Sequence, residues 1–549
     1  MDLLHVDNLN HALDMVADQY GSKIFLSYED KNLTFAQFRE YVLRFANVLL
    51  SCGVKKGDYV GIHAPNSLEF VISVFSCFRI GAVATPLIIQ WKTREITETI
   101  HKAQIKLMIC QNSPSNIITR CDKLELIQTV INVGEIIETS PKIKGEFWQL
   151  LHAALATDPS IKITEQNLAT CHFTDGTTGK SKGVLHTHRN LLYATHVIMQ
   201  TIEITDADAT ILILPMTHVF GFCQLLISVF GGVKVTLLDR FNPQQVLKVL
   251  TDPDITLFCG VPTIYTMLLA QHNLDEFHFS KKLRLFISGA NALSSETATL
   301  IQSRFLSKSG IITQAYGSTE DLCCGTNTYP KSTPGSIGTP LQGVSLEIID
   351  STGSILPMGK ENIGIIAIQH EAVMMGYLGN PKAHDPVDYQ LTRTVLKPIR
   401  GKSGNWYWTG DLGYRDLDGS IYLTDRLKDI AKISGRLVFP EEIESVMGQN
   451  PLVDQIAVIS VPHEIYGEQL LAVIVPKEKH ENTTILEEEL KKYAEENLAK
   501  YKIPRIWWIR PTLKRNEMGA VLKRWYREEY LRFGKREDLH IWLSPEFLP

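Results

Sequence analysis

Residues 173–184 have the composition of a phosphate-binding loop. They read FTDGTTGKSKGV and contain three glycines, three threonines and two lysines. Glycines let backbone N–H groups approach an anion, hydroxyls add hydrogen bonds, and a lysine supplies the positive charge that a triphosphate needs. The stretch from Thr174 to Lys182 therefore predicts a phosphate site. The alternative is a loop rich in glycine and threonine that binds nothing.

The same segment does not fit the P-loop of nucleoside triphosphatases. Gly179, Lys180 and Ser181 match the end of that motif. The motif also needs a glycine five residues before Gly179, where this chain has Thr174. The spacing therefore excludes a Walker A loop.

Several motifs, taken together and in chain order, resemble the adenylate-forming superfamily, and in particular its acyl-CoA synthetases. The loop is similar to the pattern [FY]-[TS]-S-G-[TS]-[TS]-G-x-P-K-G, with Asp175 at the usual serine and Ser181 at the usual proline. The other matching segments are Leu214–Gly221, Gly260–Tyr265, Ser288–Leu293, Tyr316–Glu320, Trp408–Gly413 and Asp425–Gly435. Because the resemblance extends over nearly the whole chain, it is much more specific than a match to one loop would be.

The resemblance implies an ATP-dependent acid–thiol ligase. A carboxylate oxygen would attack the α-phosphate of ATP and expel pyrophosphate, and the thiol of coenzyme A would then attack the acyl-AMP and release AMP. The expected cofactors are ATP, Mg²⁺ and coenzyme A, and the expected partner is a small-molecule carboxylic acid. A fatty or aromatic acid is favoured, because no basic residue is obvious near the expected acyl pocket to hold a second carboxylate.

The resemblance also implies a role for each matching residue. ATP is expected to contact Thr174, Asp175, Gly176, Thr177, Thr178, Gly179, Lys182, Asn291, Gln314, Ala315, Tyr316, Thr319, Asp411 and Arg426. The acyl group is expected to contact His218, Phe220, Ala290 and Gly317, and coenzyme A to contact Arg240, Ser434 and Gly435. The expected catalytic positions are Lys182, Thr319, Glu320, Lys428, Lys432 and Ala520. Glu320 is also the expected ligand of Mg²⁺, a hard cation that prefers carboxylate oxygen.

Taken singly, some of these residues have plainer explanations. Glu320 could be a surface carboxylate, His218 a satisfied core histidine, and Arg240 a solvated arginine at the end of a strand. Their positions within or beside the motifs favour the functional roles. His186 and His188 could suggest a metal site, but two histidines without a third nearby ligand make a poor zinc site.

Position 520 departs from the superfamily pattern. Relatives carry a lysine after the glycine of a P-R-[TN]-x-x-G-K segment, and this chain ends the same segment in Gly519-Ala520. A charge that bridges the carboxylate and the α-phosphate is worth about 100- to 1,000-fold in rate, so adenylation is expected to be impaired. Lys523 could substitute only if the loop shifted. The otherwise intact motifs favour an engineered lysine-to-alanine change over a natural loss.

Ala520 keeps two other functions open. One is an acyl-AMP ligase that loads a carrier protein, although no carrier segment is recognisable in the sequence. The other is a non-catalytic nucleotide-binding relative, for which Ala520 is the main support.

Strand-like and helical segments alternate along the chain, which predicts an α/β fold. Expected strands include 59–63, 211–214 and 284–288, and 35–51 is a helical window. The phosphate loop is expected to lead into a helix. We expect a large N-terminal α/β region of several subdomains, residues 1–425, and a small mobile α+β C-terminal domain, residues 426–549, hinged at Lys428.

Composition and charge narrow the function classes. The chain has 549 residues, which is more than one ordinary domain, and its 44% hydrophobic and 21% charged residues suit a globular protein. A net charge of −5 disfavours a nucleic-acid partner. No signal peptide and no uninterrupted twenty-residue apolar span is recognisable. The nine cysteines lack C-x-x-C pairs and suit free thiols, so we expect a cytoplasmic protein without a transmembrane segment.

Overall fold

The computed structural model resolves the chain into two compact units. The first comprises Met1–Leu346, Ile368–Pro398 and Lys402–Tyr407, and the second comprises Glu347–Ala367, Ile399–Gly401 and Trp408–Pro549. The predicted domain boundary between residues 425 and 426 stays a prediction. The structure describes residues 2–91, 93–111, 125–135, 140–174, 181–291, 293–323, 325–326, 329, 331–333, 335–426, 429, 431–433, 436–463, 467–478, 483–498, 500–516 and 519–533.

Two large sheets form the frame of the first unit. One has nine strands in the spatial order Thr339–Pro340, Gly325–Thr326, Ile311–Tyr316, Leu285–Ser288, Leu257–Gly260, Ala209–Leu212, Lys234–Leu237, Ile24–Tyr28 and Lys31–Thr34. The other has eight in the order Gly376–Tyr377, Lys182–Thr187, Leu168–Thr174, Val83–Pro86, Tyr59–His63, Leu107–Gln111, Thr129–Val133 and Ile143–Glu146. Neighbours pair in parallel in the middle of each sheet and antiparallel towards an edge.

Helices connect and cover these strands. Among the described residues the α-helices are Leu9–Tyr20, Phe35–Ser51, Leu68–Ile80, Thr93–Ala103, Phe147–Ala153, His188–Thr201, Val219–Phe230, Pro243–Leu250, Pro262–Leu269, Ser295–Phe305, Tyr389–Thr392, Pro440–Met447, Thr483–Asn497 and Lys523–Phe533. None of them combines the length and the apolar content that a membrane crossing needs. The helix 35–51 has the predicted bounds, because Thr34 and Gln37 form a capping box at its start.

The second unit is built around an antiparallel hairpin. Strands Val453–His463 and Gly467–Pro476 pair along their length, Ala431–Ile433 and Arg436–Val438 extend the sheet on one side, and Ile506–Ile509 joins in parallel. Two buried clusters cover its faces, one including Val458 and Ile474 and the other Val473 and Tyr526. The strands of the described chain outside these three sheets are Ser345–Ile349, Gly364–Gln369, Leu396–Lys397, Trp406–Arg415 and Ile421–Arg426; of these, Ile421–Arg426 belongs wholly to the second unit and Leu396–Lys397 to the first.

The α/β class predicted from the sequence is confirmed, and so is a helix after the phosphate loop. The sequence did not predict the strand that precedes this helix. The strand Lys182–Thr187 follows the loop, and the helix begins only at His188, capped by Thr187 and Asn190. Consecutive residues of this strand pair with Leu168–Thr174, so hydrogen bonding to a neighbouring strand outweighs any local helical tendency.

The described cysteines are free thiols, as predicted. Burial raises the pKa of Cys259 and of Cys323 to about 12, which keeps both thiols protonated and unreactive near neutral pH.

Three histidines are buried in the first unit without charge. Burial lowers the pKa of His172, His186 and His188 from 6.5 to about 3, because removal from water disfavours the imidazolium form. His188 accepts a hydrogen bond at Nδ1 from the backbone N–H of Leu9, at 3.3 Å. Its burial therefore has a structural explanation.

Replacing His172 by leucine should flatten the dependence of stability on pH. Below pH 6.5 the unfolded chain binds a proton at His172, whereas the folded chain resists protonation down to about pH 3. Stability is therefore complete above 6.5 and is lost as the pH falls, by ~1.4 kcal/mol per pH unit for each such histidine. Chemical denaturation between about pH 7 and about pH 5 measures the slope. The matched control is His5→Leu, whose side chain is 86% exposed; equal slopes in all three proteins would contradict the prediction.

Candidate active site

Residues far apart in the sequence meet at the carboxyl edge of the nine-stranded sheet. Gly260, Ser288 and Gln314 are consecutive register partners on three parallel strands. Parallel strands end at the same edge, and the crevice beyond that edge is where open α/β sheets bind ligands. The predicted residues Ala315 and Tyr316 end the third of these strands, and the segments that follow the strands carry Asn291, Gly317, Thr319 and Glu320.

The loop after Leu285–Ser288 is held tightly. The backbone N–H of Leu293 donates to the side-chain Oε1 of Gln314, at 2.8 Å, so Gln314 fixes the loop that contains Asn291. Ala290 adopts a left-handed φ of 67°, a conformation that a residue with a Cβ rarely takes. Such strain persists only where the surroundings determine the backbone, and it is typical of binding sites.

The ring of Phe220 packs against this loop. A Cβ built on Gly289 would lie 2.8 Å from Cε1 of Phe220, so the ring occupies the space that the glycine leaves. Phe220 lies in the first turn of the helix Val219–Phe230, and His218 is the residue that precedes it. The structure thus brings two of the predicted acyl-binding residues close together: the ring of Phe220 packs against Gly289, and Ala290 is the next residue in the chain.

A sharp turn carries Thr319 and Glu320. Both the backbone N–H and the hydroxyl of Ser318 donate to Oδ1 of the buried Asp321, at 2.5 and 2.6 Å, and the N–H of Glu320 donates to Oγ of Ser318. Gly317 faces the carbonyl oxygen of Leu322, where an added Cβ would lie 2.3 Å away. Only glycine lets the turn close this far.

The two strands that flank the phosphate segment pair antiparallel. Thr174 and Lys182 are register partners, so the described ends of the segment lie opposite each other in the sheet. Lys102, on the helix Thr93–Ala103, donates from Nζ to the backbone oxygen of Ser181, at 2.9 Å. This bond holds the chain at Ser181, just before the strand Lys182–Thr187, at the position where the superfamily pattern has proline.

Lys182 and Glu320 contact one tyrosine. Nζ of Lys182 lies 4.9 Å from the ring centroid of Tyr377, and the hydroxyl of Tyr377 donates to Oε1 of Glu320, at 2.8 Å. Tyr377 is 2% exposed. The predicted phosphate lysine and the predicted metal ligand are therefore close in space.

The two residues predicted for the ribose lie in the second unit. Asp411, on Trp406–Arg415, is the register partner of Arg426, on Ile421–Arg426. The backbone N–H of Asp411 donates to Oγ1 of Thr409, at 3.0 Å. Their backbones therefore lie opposite each other in one antiparallel ladder.

The segment around Ala520 is a closed loop in the second unit. The N–H of Ala520 donates to Oδ1 of Asn516, at 2.9 Å, and the N–H of Asn516 donates back to the carbonyl of Ala520. Gly519 has a φ of 74°, which favours glycine. Lys523 lies three residues later, with Nζ 2.7 Å from Oε1 of Glu444. That ion pair ties the side chain of Lys523 to the helix Pro440–Met447 of the same unit.

Several predicted positions remain predictions. Asp175, Gly176, Thr177, Thr178, Gly179, Lys428, Ser434 and Gly435 lie outside the described residues. The backbone of Lys432 pairs with Leu437 in the strand Ala431–Ile433. Arg240 is 86% exposed, with Nε 4.0 Å from a carboxylate oxygen of Asp239, which suits a solvated arginine as well as a ligand contact. Among the described residues no group of three or more His, Cys, Asp or Glu could by itself hold a metal ion.

Comparison with known proteins identifies the family. Residues 13–378 match the model of the AMP-binding enzyme, and residues 442–520 match the AMP-binding enzyme C-terminal domain. The chain belongs to the AMP-binding enzyme family. It is a member of the adenylate-forming superfamily, in the acyl-CoA ligase group, and the resemblance of its motifs is thereby confirmed.

Relatives of this AMP-binding enzyme cover nearly its whole length. Oxalate–CoA ligase of Arabidopsis thaliana is 29% identical over 96% of this chain and 99% of its own. A long-chain-fatty-acid–CoA ligase of Bacillus subtilis is 27% identical over 97% of this chain and 95% of its own. The crystal structure of ATP-bound MatB from Rhodopseudomonas palustris superposes with a TM-score of 0.82 at 29% identity, covering 95% of this chain and 99% of that one.

Sequence reasoning missed two residues of this AMP-binding enzyme that touch the site. Tyr377 lies in Val-Met-Met-Gly-Tyr, an apolar run without a charged or metal-binding pattern. Lys102 is one of several charged residues on an amphipathic helix and resembles an ordinary solvated lysine. No spacing rule connects either residue to the phosphate loop, since both reach it only through tertiary contacts.

Replacing Gly317 by alanine should weaken nucleotide binding. The added methyl would meet the carbonyl of Leu322 at 2.3 Å and displace the turn that carries Thr319 and Glu320. Overpacking of this kind costs about 1–3 kcal/mol. Calorimetric titration with Mg-ATP and a thermal melt measure the two effects. The control is Gly325→Ala, where the nearest atom to the new Cβ is 3.5 Å away; similar losses in both variants would contradict the explanation by close contact.

Proposed function

We propose that this acyl-CoA ligase relative activates a carboxylic acid as acyl-AMP and transfers the acyl group to coenzyme A, with adenylation impaired by Ala520. The observation that supports it most directly is the contact of Lys182 and Glu320 with the same tyrosine. A cation and a carboxylate at one place suit a triphosphate and its metal. Family membership supplies the reaction class, and this geometry supports the phosphate and metal roles.

Magnesium fits the donor set that the chain offers. Mg²⁺ is commonly held by one or two carboxylates together with substrate phosphate oxygens and water, so a single protein carboxylate at Glu320 suffices. Glu320 uses Oε1 to accept from Tyr377. Bound there, the ion would neutralise charge on the triphosphate.

In the adenylation step the substrate carboxylate attacks the α-phosphorus of ATP, and pyrophosphate leaves with the electron pair of the broken P–O bond. Lys182 and the loop from Thr174 would hold the β- and γ-phosphates, Thr319 the α-phosphate, and Tyr316 the adenine. Asp411 and Arg426 would hold the ribose. Holding the reactants in line supplies most of the rate enhancement in reactions of this kind.

In the second step the thiol sulfur of coenzyme A attacks the acyl carbon and AMP leaves. We propose that the chain beyond residue 425 turns about Lys428 between the steps, so that the segment with Lys432 and Gly435 serves thioester formation. Arg240 would meet the CoA nucleotide.

The acid is proposed to be a fatty or aromatic monocarboxylic acid. The ring of Phe220 and the side chain of Ala290 offer an apolar wall. The named relatives act on acids as different as oxalate and long-chain fatty acids, so family membership leaves the acid open. A panel that includes oxalate, malonate, benzoate and fatty acids of increasing length tests this proposal.

Replacing Ala520 by lysine should raise pyrophosphate release from ATP and the preferred acid by about 100- to 1,000-fold, since one transition-state cation is restored. The control is Ala520→Met, which adds a side chain of similar length without charge and should give no gain. We do not expect Lys523 to substitute in the unmodified chain, because its Nζ is paired with Oε1 of Glu444 at 2.7 Å. An equal rate for the alanine, methionine and lysine forms would contradict the assignment of position 520.

The unmodified chain should still form the thioester when it is given acyl-AMP and coenzyme A, because Ala520 belongs to the adenylation step alone. Chromatography of acyl-CoA and AMP measures the products, which should appear in equal amounts. Transfer to a purified carrier protein but not to coenzyme A would favour a carrier-loading ligase. Tight binding of ATP and acyl-AMP without turnover, even in Ala520→Lys, would favour a non-catalytic binding protein.

A further inference from the structure

Tyr377 is fixed in the first unit by both its backbone and its ring. It lies in the strand Gly376–Tyr377, which pairs antiparallel with Lys182–Thr187. Its N–H donates to Oγ1 of Thr392 at 3.0 Å, and its carbonyl accepts from the N–H of Asp388 at 2.8 Å. The ring packs in a buried cluster with Val184 and Met374. These contacts fix the position of the Tyr377 side chain, so it can serve as a rigid contact for the side chains around it.

The fixed ring contacts two groups of opposite charge. The ammonium of Lys182 lies over the ring face, 4.9 Å from its centroid, where the electron-rich face attracts a cation. The hydroxyl donates to Oε1 of Glu320 at 2.8 Å. Burial raises the pKa of Tyr377, so the hydroxyl keeps its proton and remains a donor near neutral pH.

The second anchor of Glu320 comes from the same strand region. The carbonyl of Glu320 accepts from the N–H of Met374, at 2.7 Å, three residues before Tyr377. The segment Met374–Tyr377 therefore hydrogen-bonds both the main chain and the carboxylate of Glu320. The same segment pairs with the strand that begins at Lys182, so one short element positions both charged residues.

Without a spacer the two charges would attract each other. A lysine and a glutamate that come within about 4 Å form an ion pair and satisfy each other. Within the described part of the chain, Lys182 and Glu320 form no such pair; each contacts Tyr377 instead. A direct pair would remove the lysine from phosphate and a carboxylate oxygen from the metal.

We propose that Tyr377 is the positioning residue that keeps Lys182 and Glu320 apart, so that the lysine stays available to the phosphates and the carboxylate to Mg²⁺. This inference rests on the proposed function, because it concerns the same nucleotide site. The ring acts on the lysine and the hydroxyl acts on the carboxylate. The two actions can be separated by substitution.

The test is equilibrium binding of ATP to the full chain at increasing MgCl₂, with AMP as the second ligand. Tyr377→Phe keeps the ring and loses the hydroxyl, so it should raise the Mg²⁺ concentration at half-maximal ATP affinity about tenfold, as expected for one hydrogen bond to a charged group. Tyr377→Leu removes the spacer as well and should also weaken ATP binding at saturating Mg²⁺. AMP lacks the β- and γ-phosphates, so its affinity should change less than about twofold in both variants.

Two controls separate positioning from general damage. Tyr193→Phe removes the hydroxyl of another buried tyrosine of the same unit and should leave the Mg²⁺ dependence unchanged. In a Glu320→Ala background, Tyr377→Phe should have no further effect on the Mg²⁺ dependence, since the hydroxyl then has no acceptor at position 320 to lose. A further shift of the same size in that background would overturn the proposal.

Other outcomes also decide the matter. An unchanged Mg²⁺ dependence in Tyr377→Phe, or a parallel loss of AMP and ATP affinity, would show that Tyr377 is only structural. If Tyr377→Phe does not fold, Thr392→Val, which removes the acceptor of the Tyr377 N–H, takes its place and should shift the Mg²⁺ dependence in the same direction; no shift would overturn the proposal. Failure of the unmodified chain to bind Mg-ATP would contradict the proposed function itself, whereas normal binding with no effect of Tyr377 would contradict the positioning role alone.

Discussion

The arrangement of the first unit depends on the parallel pairing of Leu257–Gly260, Leu285–Ser288 and Ile311–Tyr316. Strands that run in the same direction must end at the same edge, so the segments that leave them emerge side by side. Residues of three separate motifs are thereby brought to one crevice. The register is exact enough that Gly260, Ser288 and Gln314 stand in one row.

Close backbone approaches then give this edge its shape. Gly317 lies against the carbonyl of Leu322, Gly289 lies under the ring of Phe220, and Ala290 accepts a left-handed φ. Each of these leaves no space for a larger side chain or a relaxed backbone. The stability of the surrounding sheet holds these local strains in place, which is how a site keeps its geometry before a ligand arrives.

The charged groups that we propose for nucleotide binding are held without neutralising one another. Tyr377 stands between Lys182 and Glu320 in the first unit. In the second unit Lys523 is instead paired with Glu444, and Ala520 offers no charge beside it. Lys182, the proposed phosphate lysine, thus forms no ion pair with Glu320, and position 520 has no charge, which is the physical basis for proposing a nucleotide site that binds better than it reacts.

The sequence by itself determined the α/β class, the family and the order of the motifs, because these depend on local composition and spacing that survive without tertiary information. It also predicted the helix 35–51, whose capping residues lie beside it. It failed at the strand after the phosphate loop, where pairing with Leu168–Thr174 decides the conformation. Only the tertiary structure showed Tyr377 and Lys102, since both act through partners far along the chain, and contacts of that kind leave no periodic or spaced signal in the sequence.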